Sequence, residues 1–258
     1  MRRSPSWKKK LGRASLPFIV IIVAFLGWEL SVRALNVPNY ILPTPTEIFE
    51  ACWTYRQPLL LAAWQTFCTT MIGFFFAIVF GLLVGALIGS FSLAYDAFYP
   101  ILIGFNSIPK VAIVPILVIW FGIGTMPAII TAFLISFFPI LVNVATGIAT
   151  VEPELNDVLR TLGAKRHQII MKVGLPRAMP YFFASLKIAI SVAFVGSILA
   201  ETVASDAGIG HLMLVASSQF QVALAFAGLL VTSAMGVAMY VIAVAFERRM
   251  TGWALRSK

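Results

Sequence analysis

The sequence predicts an all-α integral membrane protein with six transmembrane helices, and three observations predict it. Of 258 residues, 60% are hydrophobic and 11% are charged, whereas about a quarter of a soluble domain carries charge. The apolar residues form unbroken runs that suit the roughly 20-residue helices of a bilayer span, not the alternating segments of a β-barrel. The basic residues gather in alternate connections, the pattern of the positive-inside rule. The same composition excludes intrinsic disorder, which needs low hydrophobicity and dense charge.

Each element follows in order. Six basic residues open the chain: Arg2, Arg3, Lys8, Lys9, Lys10 and Arg13. Span 1 follows, from Leu16 to Leu35. Its basic start and apolar stretch imitate a signal peptide, but Gly27-Trp28-Glu29-Leu30 offers no small-x-small cleavage site. It reads as a retained span that is its own targeting signal. Residues 36–60 form an outside loop with Arg56 as its one basic residue. Pro38 to Pro45 is proline-rich there and is expected to be extended. Spans 2 to 6 run over Leu61–Phe91, Ala97–Phe121, Met126–Thr150, Met179–Ala200 and Val222–Phe246.

Between spans 4 and 5 lie five basic residues, Arg160, Lys165, Arg166, Lys172 and Arg177, and four more end the chain at Arg248, Arg249, Arg256 and Lys258. The Glu201–Gln221 connection has no Lys or Arg. Six spans with both termini cytosolic satisfy every cluster; five or seven would put the last four on the wrong side. The organisation is therefore a basic tail (1–15), a first helix (16–35), an outside loop (36–60), a core of five helices (61–247) carrying an inside loop (151–178), and a basic tail (248–258). The net charge of +9 records topology, so no nucleic-acid partner is expected.

Small residues recur at every fourth position in span 2 (Gly73, Ala77, Gly81, Gly85, Gly89), and again in span 5 (Ser185, Ala189, Ala193, Ser197) and span 6 (Gly228, Thr232, Gly236). They permit close backbone approach, within one bundle or at a seam between two copies. Span 3 holds Pro100, Pro109 and Pro115 around Asn106, Ser107 and Lys110. Broken helices with polar groups line transporter cavities, so these residues are candidates for a translocation pathway, with Lys110 attracting an anion. The alternative is a kinked helix whose Lys110 pairs with a neighbour such as Glu201. Asn143 in span 4 is a pathway candidate or an interhelical hydrogen-bond donor, and Glu201 is a gate residue or an interfacially solvated one. Lys187 suits a snorkelling role. His211 lacks companions for a metal site, and Cys52 and Cys68 are not expected to pair.

The inside loop is the most informative stretch. Pro153 with Glu152 and Glu154 suits a helix start. Leu155, Val158, Leu159 and Leu162 then fall on one apolar face. Gly163 is a helix stop, followed by Lys165 and Arg166 at the negative end of the dipole. A second short helix is expected over Lys165–Val173, closed by Gly174-Leu175-Pro176. On physical grounds this amphipathic helix lies on the lipid surface, packs under its own bundle, or inserts into a partner.

Asp157-Val158-Leu159, Gly163-Ala164 and Val173-Gly174-Leu175-Pro176 resemble the EAA loop of ATP-binding-cassette (ABC) importer permeases, with Asp157 for glutamate and Val158-Leu159 for two alanines. Leu42-Pro43-Thr44-Pro45, Ile108 to Pro115 with Ile119-Trp120-Phe121-Gly122-Ile123-Gly124, and Ala200-Glu201 with Gly208-Ile209-Gly210 resemble the nitrate/sulfonate/taurine branch. The resemblance implies a type I ABC importer permease fold with a cytosolic coupling helix, placed in a bacterial inner membrane. It implies two permease copies, two ATPase subunits and an extracytoplasmic substrate-binding protein. Glu154, Asp157, Val158, Leu159, Leu162, Gly163, Ala164, Lys165 and Arg166 would then couple to the ATPase. The chain carries no phosphate-binding G-x-x-x-x-G-K-[ST] loop, so ATP and Mg are expected on the partner and no catalysis on this chain.

A stand-alone secondary transporter or channel is the rival. Its coupling charges would have to be Lys110, Glu29 and Arg33, and it leaves the inside helix without a role. HExxH, GxSxG and paired intramembrane carboxylates are absent from the sequence, which argues against a membrane-embedded enzyme.

Overall fold

A computed structural model describes residues 7–150, 158–159 and 161–251, and among them every regular element is helical. Helix α1 covers Trp7–Ala34, α2 Pro45–Thr54 and α3 Arg56–Gly89. The third apolar run is broken into α4 (Ser92–Ser107), a 3₁₀ turn (Lys110–Ile113) and α5 (Val114–Phe121), bent by 75°. Helix α6 covers Thr125–Ala149; α7 (Arg166–Ile169) runs through a π turn (Ile170–Gly174) into α8 (Leu175–Ala204). Two helices close the fold, α9 (Ile209–Ser218) and α10 (Val222–Thr251). Among the described residues four helices are long and apolar enough to cross a membrane, α3, α6, α8 with its π turn and α10, and the bent pair makes a fifth. Helix α1, the expected first span, has 28 residues, a rod of about 42 Å at 1.5 Å per residue.

The stripe of small residues in α3 serves packing within the chain. A β-carbon at Gly73 would lie 2.5 Å from the Ile129 carbonyl oxygen, and one at Gly89 2.5 Å from that of Ala145. Gly81 and Gly85 press on Ile140 and Val144 in the same way. Rising residue numbers on α3 meet rising numbers on α6, so these two helices are parallel. Helix α8 runs against them: Gly147 meets Ala178, and Gly196 meets Ile135. Its own small stripe, Ser185, Ala189, Ala193 and Ser197, is buried. Lipid tails are as apolar as leucine, so helices in a bilayer associate through close contact and not through exclusion of water. Packing of this kind holds α3, α6 and α8 as the central layer.

Helix α10 is antiparallel to α8, with Gly236 against Phe194. Lys187, expected to snorkel, is ion-paired instead: its Nζ lies 3.0 Å from a Glu247 carboxylate oxygen on α10. The chain thus has two ends. The basic end carries the described part of the 151–178 loop, the start of α8 and the close of α10. The far end carries α2, α9 and the starts of α3, α6 and α10.

The expected boundaries fail in three instructive places. The outside loop is largely helical: Pro38 to Ile41 turn, Thr44 is extended, and α2 then starts at Pro45. Thr44 and Glu47 form a capping box, with Glu47 carboxylate accepting the Thr44 N–H at 2.9 Å. The connection after Glu201 likewise folds into α9. At the basic end, Gly174-Leu175-Pro176 does not close a helix. A proline has no N–H and crowds the carbonyl four residues back; the π turn just before Pro176 widens the backbone there, and the helix continues into α8.

Candidate functional site

Three local structures carry the candidate residues. The first is the loop at the basic end. Glu154 and Asp157 lie outside the described residues. Val158 and Leu159 are helical, and the helix stops at Gly163, whose φ is +84°. The Ala164 N–H donates to the Leu159 carbonyl at 3.0 Å, the longer bond of a Schellman stop, in which glycine takes the left-handed residue. The stop frees the chain to turn at once: the Lys165 N–H bonds the Gln168 side-chain oxygen at 2.9 Å, and Arg166 opens α7. Val158 and Leu162, four residues apart and so on one face, are 54% and 77% exposed. A β-carbon on Gly163 would meet nothing within 4 Å. Among the described residues the loop thus offers a small exposed apolar face.

The second is the break in the third apolar run. Pro109 holds Ile108 in an extended conformation (φ −67°, ψ 127°), since a residue before proline is pushed out of the helical region. Pro100 sits inside α4 and Pro115 in the first turn of α5, so the three prolines do different work and only Pro109 breaks the run. Lys110 Nζ folds back to donate to the Asn106 carbonyl and, at 3.1 Å, to Asn106 Oδ1. It also lies 5.1 Å from the centre of the Phe138 ring on α6, a cation–π distance. Ser107 donates to the Ile103 carbonyl. Asn106, Ser107 and Lys110 therefore come together. Asn143 bonds within α6, its amide donating to the Pro139 carbonyl at 2.8 Å, not across helices. Lys110 does not pair with Glu201.

Glu201 is in the third structure, at the far end, and is 1% exposed. Interfacial solvation is therefore ruled out. Thr66 Oγ1 on α3 donates to Glu201 Oε2 at 2.7 Å and Thr69 Oγ1 to Oε1 at 3.1 Å. The Gly210 N–H on α9 donates to Oε2 at 3.2 Å. The Thr66 hydroxyl oxygen in turn accepts the Ile209 N–H at 2.8 Å, and Thr69 shares a bond of 2.7 Å with Ser197. Desolvating a carboxylate costs several kcal/mol. Three donors and the positive end of the α9 dipole offset that cost. In the same contacts the first two N–H groups of α9 find acceptors, which a helix start otherwise lacks.

Close approach is built into the connection. Gly208 has φ +97° and ψ 167°, a region essentially reserved for glycine, and a β-carbon on it would overlap the Glu201 carboxyl group. One on Gly210 would overlap the Ile198 carbonyl oxygen. A cavity of about 600 Å³ opens beside this node, lined among others by Trp64, Gln65, His211 and Gln219. Thr66 and Thr69 were not singled out by sequence reasoning. The signal available was three threonines in five residues, Thr66, Thr69 and Thr70, at the head of an apolar span.

The rival's charges are spent locally. Glu29 accepts from the Thr46 N–H at 3.1 Å and its hydroxyl at 2.9 Å, and pairs with Arg33. These contacts tie the end of α1 to the start of α2.

Long apolar helices in a small-residue-packed bundle, one of them broken beside a lysine, define an all-α integral membrane protein. The family model for the binding-protein-dependent transport system inner membrane component matches residues 77–252. A Haemophilus influenzae protein named "Probable ABC transporter permease protein" is 32% identical over 87% of this chain and 91% of its own. The formylaminopyrimidine transport permease protein ThiX of Halalkalibacterium halodurans is 27% identical over 95% and 98%, and the taurine transport system permease protein TauC of Escherichia coli 27% over 97% and 94%. A chain of the inward-facing MetNI methionine ABC transporter shares the fold, with a TM-score of 0.66 over 76% of this chain and 97% of that chain at 20% identity. The chain belongs to the binding-protein-dependent transport system inner membrane component family, as the permease subunit of an ABC importer.

Proposed function

We propose that two copies of this chain form a solute pathway across a bacterial inner membrane, and that each copy seats its 151–178 loop on an ATPase subunit that binds ATP and Mg. Both termini are cytosolic, and α1, the first helix, brings the number of crossings to six. A substrate-binding protein delivers the solute at the far end. The observation that carries this reading is the exposed apolar face of Val158 and Leu162 beside a glycine stop, set in a polar, basic loop. Apolar side chains in a polar loop gain by burial against a partner, at about 25 cal/mol per Å². Pathway candidates are Asn106, Ser107, Lys110 and Asn143, with Glu201 acting at the far end. Relatives whose names specify taurine, aliphatic sulfonates, riboflavin and formylaminopyrimidine support a reading in which the solute is a small anion or a vitamin or pyrimidine precursor. Lys110 at the break favours an anion such as a sulfonate, nitrate, bicarbonate or aromatic acid.

The test is a mild-detergent purification of the tagged chain from its host, with intact mass and identification of what accompanies it. Two copies with two ATPase subunits are expected; the chain alone after cross-linking would return the rival transporter. A second expectation concerns the break. Lys110→Ala should slow uptake of the cognate anion at limiting concentration severalfold while the ATPase stays attached. Unchanged uptake would reject Lys110 as the anion's attractor.

A further inference from the structure

We infer that Glu201 is a positioning residue that pins α9 to α8 and α3, so that the far-end face follows the movement of α8; the inference rests on the importer reading above. Helix α8 is continuous from the π turn at the basic end to Ala204 at the far end. Any tilt imposed at the loop therefore reaches Glu201 as a rigid-body displacement. Only the short Ser205–Gly208 link joins α8 to α9 through the backbone, and a link of that kind transmits little by itself.

The side-chain contacts make the connection stiff. Glu201 Oε2 takes both the Thr66 hydroxyl and the Gly210 N–H, and Thr66 takes the Ile209 N–H. One carboxylate thus closes a ring through three helices. The ring is 1% exposed at Glu201 and 0% at Thr66, so water does not compete for its bonds. Gly208 and Gly210 bring the α9 backbone against Glu201 and the Ile198 carbonyl, leaving no slack for independent movement. A further bond, Gly124 N–H to the Ala204 carbonyl at 2.8 Å, ties the start of α6 to the end of α8. The pin therefore sits where α8 meets the helix that walls the far-end cavity.

The test uses the purified complex with its ATPase, Cys52 and Cys68 replaced by serine and alanine. Spin labels go on Val203→Cys, exposed on α8, or on Ser218→Cys, exposed on α9. Distances between the two copies are read with and without ATP and vanadate, so no solute is needed. In the otherwise native chain both distances should shift together. In Glu201→Ala the Val203 shift and ATP hydrolysis should persist while the Ser218 shift is lost, and Glu201→Gln, which keeps an acceptor oxygen, should restore it. A merely structural role would diminish both sites and hydrolysis together and overturn the proposal. So would a Glu201→Ala complex in which both sites still shift alike. Should that variant not assemble, Glu201→Leu, which fills the space but offers no acceptor to Thr66, Thr69 or Gly210, takes its place with the same outcomes. A native complex in which neither distance answers to ATP and vanadate overturns the importer reading and this inference with it.

Discussion

Replacing Gly163 with glutamate is expected to strip the ATPase from the purified complex and abolish uptake, while the chain accumulates in the membrane as before. The two halves of that result have separate causes. Among the described residues a β-carbon at this position meets nothing within 4 Å, so the root of the new side chain disturbs no packed neighbour there. The backbone cost is that of a left-handed residue, φ +84°, about 1–2 kcal/mol at a loop end where unravelling reaches few packed residues. Against a partner the same substitution adds a carboxylate beside Val158 and Leu162, whose burial is the proposed source of docking energy. Gly163→Ala bears the same backbone cost without the charge, and should retain most of the attached ATPase. Co-purification of ATPase with each variant, against membrane abundance, reads the difference. Full attachment in Gly163→Glu would remove the loop from the docking surface; loss of the chain itself would make Gly163 a folding residue.

The parts of this fold that were legible in the sequence are those written as periodicity or as charge. Apolar runs gave the long helices, and the every-fourth small residues of α3 gave a packing face, which the structure resolves as contact with α6. Gly163 was legible because a helix stop has a local cause. What sequence reasoning missed depends on tertiary contact or on two signals read against each other. Helix α2 was hidden because prolines at 38, 43 and 45 read as extended chain, although Thr44-Pro45-Thr46-Glu47 spells a capping box with proline at the first helical position. Helix α9 is ten residues long, too short to read as a span. It is fixed by a carboxylate nine residues before Gly210 in sequence. The π turn at Gly174 is a compromise between Pro176 and a bundle that needs α8 to continue; proline alone argues for a stop. The partners of Glu201 could not be read from spacing, because Thr66 and Thr69 lie 135 and 132 residues away.

The second large effect is at Gly208. Gly208→Ala should destabilise the chain by about 2–6 kcal/mol, of which about 1–3 is the backbone cost of a non-glycine residue at φ +97° and ψ 167°. The remainder, about 1–3 kcal/mol, is overpacking of the new methyl against the Glu201 carboxyl. These two contributions can be separated, because removing the carboxylate removes the second and leaves the first. In a Glu201→Ala background the further cost of Gly208→Ala should therefore fall by about 1–3 kcal/mol, a coupling typical of residues in contact. Glu201→Ala has its own cost, since the Gly210 N–H loses its acceptor while Thr66 and Thr69 still reach the carbonyls of Ala62 and Thr66. An orphaned buried donor costs about 1–3 kcal/mol. Unfolding of the four chains in one detergent, followed by loss of helical signal, closes the cycle. Strict additivity would mean that the carboxylate and Gly208 do not touch. Coupling of the expected sign would tie the glycine to the charge, and give a physical reason why Ala200-Glu201 and Gly208-Ile209-Gly210 occur together in one sequence.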